Sequence, residues 1–236
     1  MSIELRESGF HEWHDHIDGM PAVGIESNRI EDCLAHYHRH GFCGLFGHSM
    51  FGFTQDNLDF LAHATNAKWL WFWDVSLRDV HPIYDLVDLE YFGIHPKRPG
   101  IDFSRFPKLR TAINHWIKAD RGISESTISN YHLWHYKPAA KSFEGLELPT
   151  GVQRLELYWA NPETLAGLPV MQKLQVLQIH RCRNLRDLSE LPRIAPNLQK
   201  LLTTTSSKID ATEGVVNHPA LKEALIDGEF ILGNND

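Results

Sequence analysis

Apolar residues recur along the chain from residue 67 onward in a nine-position pattern, with apolar side chains at positions 1, 4, 6 and 9. Of the 32 positions that this pattern predicts to face inward, 28 are apolar, whereas a hydrophobic content of 42% would give about 13 by chance. Alternating apolar residues within each segment predict a β-strand with one buried face. The eight segments begin at Ala67, Leu86, Leu109, Ile128, Val152, Leu174, Leu198 and Leu221, and the polar exceptions are Asn114, Thr203, Ser206 and Glu229.

The prolines support the same division of the chain. None of the twelve lies in a predicted nine-residue segment. Because proline cannot donate to a strand ladder, this exclusion is what real strands would produce. The proline-rich connectors are too short for full helices, so we expect turns, 3-10 segments and one or two helical turns between the strands.

The first 66 residues lack a regular period, and we interpret them as an N-terminal α/β cap. Residues 28–40 are predicted to form a helix that Gly41 terminates, because apolar residues share one face. A degenerate repeat follows at residues 42–50, with Phe42, Leu45 and Met50 inward. Asp56 is expected to cap a second helix that carries Leu58, Leu61 and Ala62.

The repeat resembles that of leucine-rich repeat proteins, whose units run roughly 20–29 residues. The unit that begins at Leu174 matches best, and the unit at Val152 is next. The resemblance implies an α/β fold: a solenoid of about eight repeats over residues 67–236, with a parallel β-sheet on its concave face and short 3-10 or turn segments on its convex face. We expect this solenoid and the cap to form one cooperative unit, closed at its far end by residues 230–232. The usual consensus asparagine is absent, since Val75, Ile94, Ala160 and Cys182 take that position.

In such a repeat, positions 3, 5, 7 and 8 face the open side of the strand. Six of the seven tryptophans fall there, which predicts an interaction surface, because exposed apolar patches of this size usually bind something. The alternative is that the aromatic rings pack against each other and stiffen the sheet, with Trp69 and Trp71 covered by the cap. The predicted partner-binding residues are Trp71, Trp73, Asp74, Glu90, Phe92, His115, Trp116, His132, Trp134, His135, Glu156, Tyr158, Trp159, His180 and Arg181.

Motifs for catalysis and metal binding are incomplete in this chain. Four predicted open-face histidines near Glu156 could act as acids and bases, but nothing defines a nucleophile or a cofactor pocket. His36 and His40 have a zinc-compatible spacing without a third ligand. We therefore predict no enzymatic activity, no metal and no cofactor. The three cysteines have no metal spacing and indicate a reduced compartment, with Cys182 at a buried repeat position.

Composition narrows the possible partners. A net charge of −7 disfavours nucleic acid, no apolar run approaches the length of a membrane span, and no signal peptide is visible. The chain resembles small bacterial cytosolic leucine-rich repeat proteins, some of which look like immunity partners of secreted toxins. That resemblance implies a cytoplasmic protein that binds and inhibits a cognate toxin, possibly a basic one. The alternatives are a scaffold or adaptor protein and, third, a histidine-based hydrolase or metal protein.

Overall fold

The computed structural model of the chain describes residues 3–14, 19–206, 209–210 and 214–233. Within these ranges the chain forms thirteen β-strands and two α-helices. It divides into two compact units, one of residues Met1–Ala112 with Lys118–Arg121 and the other of Ile113–Ile117 with Gly122–Asp236. The division falls within strand β7, Thr111–His115.

The first unit begins with antiparallel strands and continues as a parallel array. Strands β1 and β2 pair antiparallel, as do β2 and β3, and from β3 to β6 each strand runs parallel to the next. The elements are β1 Ile3–Leu5, β2 His11–Trp13, β3 Ala22–Gly24, α1 Ile30–His40, β4 Gly44–His48, β5 Trp69–Trp73 and β6 Tyr91–Ile94. The connections hold 3-10 helices at Ser49–Phe51, Asp59–His63, His81–Asp85 and Phe103–Arg105.

The second unit repeats this arrangement in reverse order. Its strands β8 to β12 are parallel and pair in chain order, and β13 pairs antiparallel with β12. The elements are β8 Asn130–Trp134, β9 Arg154–Tyr158, β10 Val176–His180, α2 Leu191–Ile194, β11 Lys200–Thr204, β12 Glu223–Ile226 and β13 Glu229–Leu232. Both units are therefore mostly parallel, one-strand-per-repeat arrays with short turns between strands, as predicted.

The repeat register is confirmed in the second unit. Leu177 of β10 pairs with Leu155 on one side and Leu201 on the other, and all three side chains are wholly buried. Leu201 in turn pairs with Ala224, so the weak last repeat also lies in the predicted register. The same inward position is thus stacked on four neighbouring strands.

The register predicted for the second repeat is wrong by three residues. Leu70 pairs with Phe92, and Phe72 pairs with Ile94, so this repeat begins at Leu89 rather than Leu86. The error arises because the apolar residues Leu86, Leu89 and Phe92 follow each other at intervals of three. Leu86 ends a 3-10 helix instead of starting a strand. Phe92, predicted on the open face, is 1% exposed and packs in the core against Phe103 and Phe106.

The predictions for the cap are confirmed in part. Helix α1 ends as predicted at Gly41, which adopts the left-handed conformation with φ of 66°. The degenerate repeat forms strand β4, where Leu45 pairs with Leu70, but Met50 is 79% exposed because the chain turns into a 3-10 helix there. The second helix is only the 3-10 segment Asp59–His63, and Asp56 does not cap it; the Asn57 side chain accepts the N–H of Asp59 instead.

The predicted short connectors are confirmed by the 3-10 helices and by α2, which is four residues long. Among the described residues, no helix has the length and apolar character needed to cross a membrane. The three cysteines are free, and Cys182 is buried as predicted. Burial raises the pKa of the Cys182 thiol to about 11, so this side chain is a small core residue rather than a reactive thiolate.

Candidate functional site

The eighth residue of several repeats adopts the left-handed backbone conformation, and this shapes the open face. His135, Trp159 and Arg181 have φ values of 56°, 52° and 57°. In an ordinary strand, successive side chains point to opposite faces, so position 8 would turn towards the core. A left-handed residue at this point keeps the side chain on the open side instead. The same conformation occurs at Asp74 and Thr205.

The backbone of these left-handed residues stays in the strand ladder. The N–H of His135 donates to the carbonyl of Tyr158 at 2.8 Å, and the N–H of Trp159 donates to the carbonyl of His180 at 3.0 Å. Each such bond extends the pairing by one residue. Positions 7 and 8 of neighbouring repeats are therefore both held in register, and their side chains form two adjacent columns.

The first column consists of Trp134, Tyr158 and His180, at position 7 of three neighbouring strands. Trp134 and Tyr158 have ring centroids 4.7 Å apart, and Tyr158 and His180 have centroids 4.6 Å apart, with interplanar angles of 25° and 21°. These distances match the separation of paired strands. All three rings are partly exposed.

The second column consists of His135, Trp159 and Arg181, at position 8. The rings of His135 and Trp159 stack nearly parallel, with an interplanar angle of 2° and centroids 5.1 Å apart. The guanidinium carbon of Arg181 lies 5.1 Å from the centre of the Trp159 ring, a cation–π contact. Trp134 and Trp159 join the two columns at 5.1 Å.

The strand before the columns contributes differently from what the sequence predicts. His115 stacks on His135 at 4.6 Å and extends the second column. The ring of Trp116 instead packs edge-on against Tyr136, with centroids 5.0 Å apart. The backbone N–H of Trp116 donates to the carbonyl of Trp134. Trp116 lies at position 8 without the left-handed backbone, so its ring does not join the stack.

A network of polar side chains around Glu156 holds Tyr158 of the first column in place. Glu156 is 4% exposed although it lies on the open side of the strand. Its carboxylate accepts hydrogen bonds from the Tyr158 hydroxyl at 2.7 Å and from Nε of Arg154 at 2.6 Å. His132 completes the network, with Nδ1 at 3.1 Å from Glu156 and Nε2 at 3.0 Å from Asn130 Oδ1.

These contacts set the ionisation of the network. Burial alone would raise the pKa of Glu156, but the hydrogen bonds from His132, Tyr158 and Arg154 outweigh it and lower this pKa to about 2. Burial and the neighbouring carboxylate raise the pKa of Tyr158, and burial lowers the pKa of His180. The His180 ring is accordingly neutral near pH 7, with Nδ1 beside the Thr204 hydroxyl and Nε2 beside Gln178 Oε1.

Of the predicted site residues of the first unit, Trp71 and Trp73 lie in an aromatic cluster that the cap partly covers. Trp13 from β2 stands edge-on to Trp69 at 5.2 Å and to Trp71 at 5.5 Å, and Trp69 is wholly buried. Trp71 and Trp73 stack at 5.8 Å and remain partly exposed. Covering of Trp69 and Trp71 by the cap is one of the two alternatives for these rings, and it holds for Trp69 but not for Trp71.

The acidic residues of the predicted face already have partners in the protein. Asp74 accepts a hydrogen bond from the Ser49 hydroxyl, Glu90 pairs with Lys68, and Asp88 pairs with Lys108. Glu156 is engaged as described above. The charges of Glu90 and Asp88 are therefore paired with lysines, whereas Asp74 keeps its charge beside a neutral hydroxyl.

The histidines of the N-terminal segment make contacts within the protein. His36 Nε2 lies 2.8 Å from Oε1 of Glu12, and His14 lies 2.6 Å from Oε2 of the same carboxylate. The described ranges contain no group of three His, Cys, Asp or Glu side chains arranged to hold a metal ion. The predicted absence of a metal and of a cofactor stays a prediction.

Comparison of the sequence with protein-family models finds no matching family, and comparison with curated proteins finds no match. The sequence pattern found three of the six column residues, Trp134, Tyr158 and Trp159, through aromatic content, and the other three through their repeat positions. It left Asn130 and Arg154 out of the predicted site, since their role depends on a buried carboxylate that the repeat pattern places on the open side.

Proposed function

We propose that the open face of the second unit binds a protein partner through the two columns. The observation that supports this most directly is the pair of adjacent stacks, Trp134–Tyr158–His180 and His135–Trp159–Arg181, whose side chains are ordered by stacking yet still partly exposed. Trp, Tyr and Arg dominate binding hot spots. Side chains that are already fixed lose little conformational entropy on association, which favours tight binding.

A binding role fits the histidines better than catalysis does. His132 and His180 each have both ring nitrogens within hydrogen-bond distance of a protein group. A general base needs a nitrogen within reach of the substrate proton. These imidazoles are better suited to holding Tyr158 and its neighbours in place than to moving protons.

The specific form of the proposal is a leucine-rich repeat protein that inhibits a toxin by covering its active surface. It rests on the resemblance to small bacterial repeat proteins and on the stacked columns described above. A basic toxin surface stays part of this proposal, because the whole chain carries a net charge of −7. The cytoplasmic location remains part of this proposal, and a scaffold or adaptor role is the alternative outcome.

The test is to co-express the chain with the product of the adjacent gene in a naive bacterium. We expect the neighbour alone to arrest growth, the chain to relieve the arrest, and the double variant Trp134→Ala/Trp159→Ala to fail to do so. Truncating a central anchor costs about 2 kcal/mol or more of binding free energy, so affinity measured by calorimetry should fall at least about tenfold.

The matched control is Phe230→Ala, which removes an exposed aromatic ring of the same unit that belongs to neither column. This variant should protect as well as the unaltered chain. A neighbour that is harmless but binds the columns would support the adaptor role. A neighbour that is toxic and not bound would contradict inhibition, and a double variant that unfolds would show that the columns are structural.

A further inference from the structure

A pocket of about 270 Å³ opens beside the second column, and its lining is basic. Lys137, Arg181 and Arg183 contribute three cations, and Trp159, Asn161 and Asn184 contribute an aromatic wall and two amides. None of the residues that line it is acidic, as far as the described chain shows. The whole chain carries a net charge of −7, so this local cationic patch departs from the general character of the protein.

The three cations are available to a ligand. Arg154 and Arg193 of the same unit are paired with Glu156 and Glu190. The described residues give no carboxylate partner to Lys137, Arg181 or Arg183. Arg181 is also held in place, because its backbone N–H donates to the Thr204 carbonyl and its guanidinium lies over Trp159.

Asn161 is held in place at the wall of the same pocket. Its Nδ2 donates to the Pro138 carbonyl at 3.4 Å, and its backbone carbonyl accepts from Asn184 Nδ2 at 3.2 Å. Its Oδ1 is buried and has no hydrogen-bond partner in the protein.

We propose that this pocket binds a carboxylate of the protein partner, which is the anionic group that a protein surface presents to three unpaired cations. This inference rests on the proposed binding function and specifies the chemistry that the partner presents. Guanidinium groups bind carboxylates through charge-assisted, often bidentate hydrogen bonds. A peptide C-terminus and an Asp or Glu side chain both offer a carboxylate near an amide N–H, and the experiment distinguishes these two sources.

The probe is N-acetylglycine, which carries one carboxylate next to one amide, titrated into the protein at constant ionic strength. The readout is the indole N–H resonance of Trp159, assigned by its loss in Trp159→Phe. We expect a saturable shift with N-acetylglycine and none with neutral N-acetylglycinamide or with sodium chloride. N-acetylaspartamide tests the side-chain carboxylate: a response equal to that of N-acetylglycine assigns the pocket to a side chain, and a weaker one assigns it to a C-terminus.

The variant Arg181→Ala/Arg183→Ala should weaken N-acetylglycine binding at least about tenfold, since each charge-assisted hydrogen bond is worth roughly that factor. Arg186→Ala removes an exposed arginine that does not line the pocket and should leave binding unchanged. An equal response to the neutral amide, or full binding by the double variant, would overturn the inference. The titration needs no partner, so its failure leaves the proposed function to be judged by the column variants alone.

Discussion

The hydroxyl of Tyr158 donates a 2.7 Å hydrogen bond to the carboxylate of Glu156, two residues earlier on the same strand. Residues two apart in a strand share a face, so this bond lies along the open side of β9. It connects an exposed aromatic column to a buried ion-pair network.

Replacing Tyr158 with Phe should lower the free energy of unfolding by about 1–3 kcal/mol, because it removes a hydrogen bond to a buried charge. The ring and its stacking stay in place, so the loss reports the hydroxyl alone. Urea denaturation followed by circular dichroism measures it. Tyr136→Phe is the matched control, since that hydroxyl makes no hydrogen bond among the described residues; a loss of equal size there would argue against the role of the Glu156 contact.

Acid should destabilise the protein partly through Glu156. Its folded-state pKa of about 2 lies below the usual 4.5, so the carboxylate stabilises the fold fully above pH 4.5 and loses this effect as the pH falls towards 2. The shift corresponds to roughly 3 kcal/mol at most. Glu156→Gln should unfold more easily at pH 7 and show a shallower loss of stability between pH 4.5 and 2. Parallel pH profiles for the two proteins would contradict this account.

Replacing Thr205 with glycine should make the protein more stable. Thr205 is exposed, β-branched and has φ of 54°, a conformation that costs such residues roughly 1–2 kcal/mol and costs glycine almost nothing. We expect Thr205→Gly to raise the melting temperature by a few degrees. Thr204→Gly is the control one residue earlier, inside β11, where glycine should lower it. Equal effects at the two positions would rule out relief of backbone strain.

Leu177→Asp should unfold most of the second unit. The side chain is wholly buried and paired with Leu155 and Leu201, so the substitution places a charge without a partner in apolar packing and costs several kcal/mol. Gln175→Asp, at an exposed position of the same repeat, is the control and should remain folded. Circular dichroism and thermal melts compare them; a folded Leu177→Asp protein would show that the repeats do not share a core.

The inward positions were predictable because buried positions hold apolar residues, which can be recognised in the sequence. The pattern placed Leu155, Leu177 and Leu201 on neighbouring strands, where the structure has them. It failed at residues 86–92, where two overlapping apolar spacings satisfied the same template. Periodicity alone cannot decide between such registers, since the first three inward positions are apolar in both.

The site was harder to predict because its geometry depends on backbone conformation. Nothing in the residue types Trp159 or Arg181 indicates a left-handed residue, since Gly, Asn and Asp usually occupy that region. Trp116 shows the consequence: its repeat position matches that of Trp159, but its ring packs on Tyr136 instead of joining the stack. The buried charge of Glu156 and the pocket at Asn161 likewise arise from contacts between strands, which one sequence does not reveal.

The alternation of core and column positions also bears on how such a surface can diversify. Leu157 and Ile179 hold the sheet together, while their immediate neighbours in the chain, Tyr158 and His180, form the face. Substitutions at the outer positions change the chemistry offered to a partner without altering the core. A lineage of such proteins could therefore acquire new partners by point substitution, one strand at a time, while inheriting an unchanged scaffold.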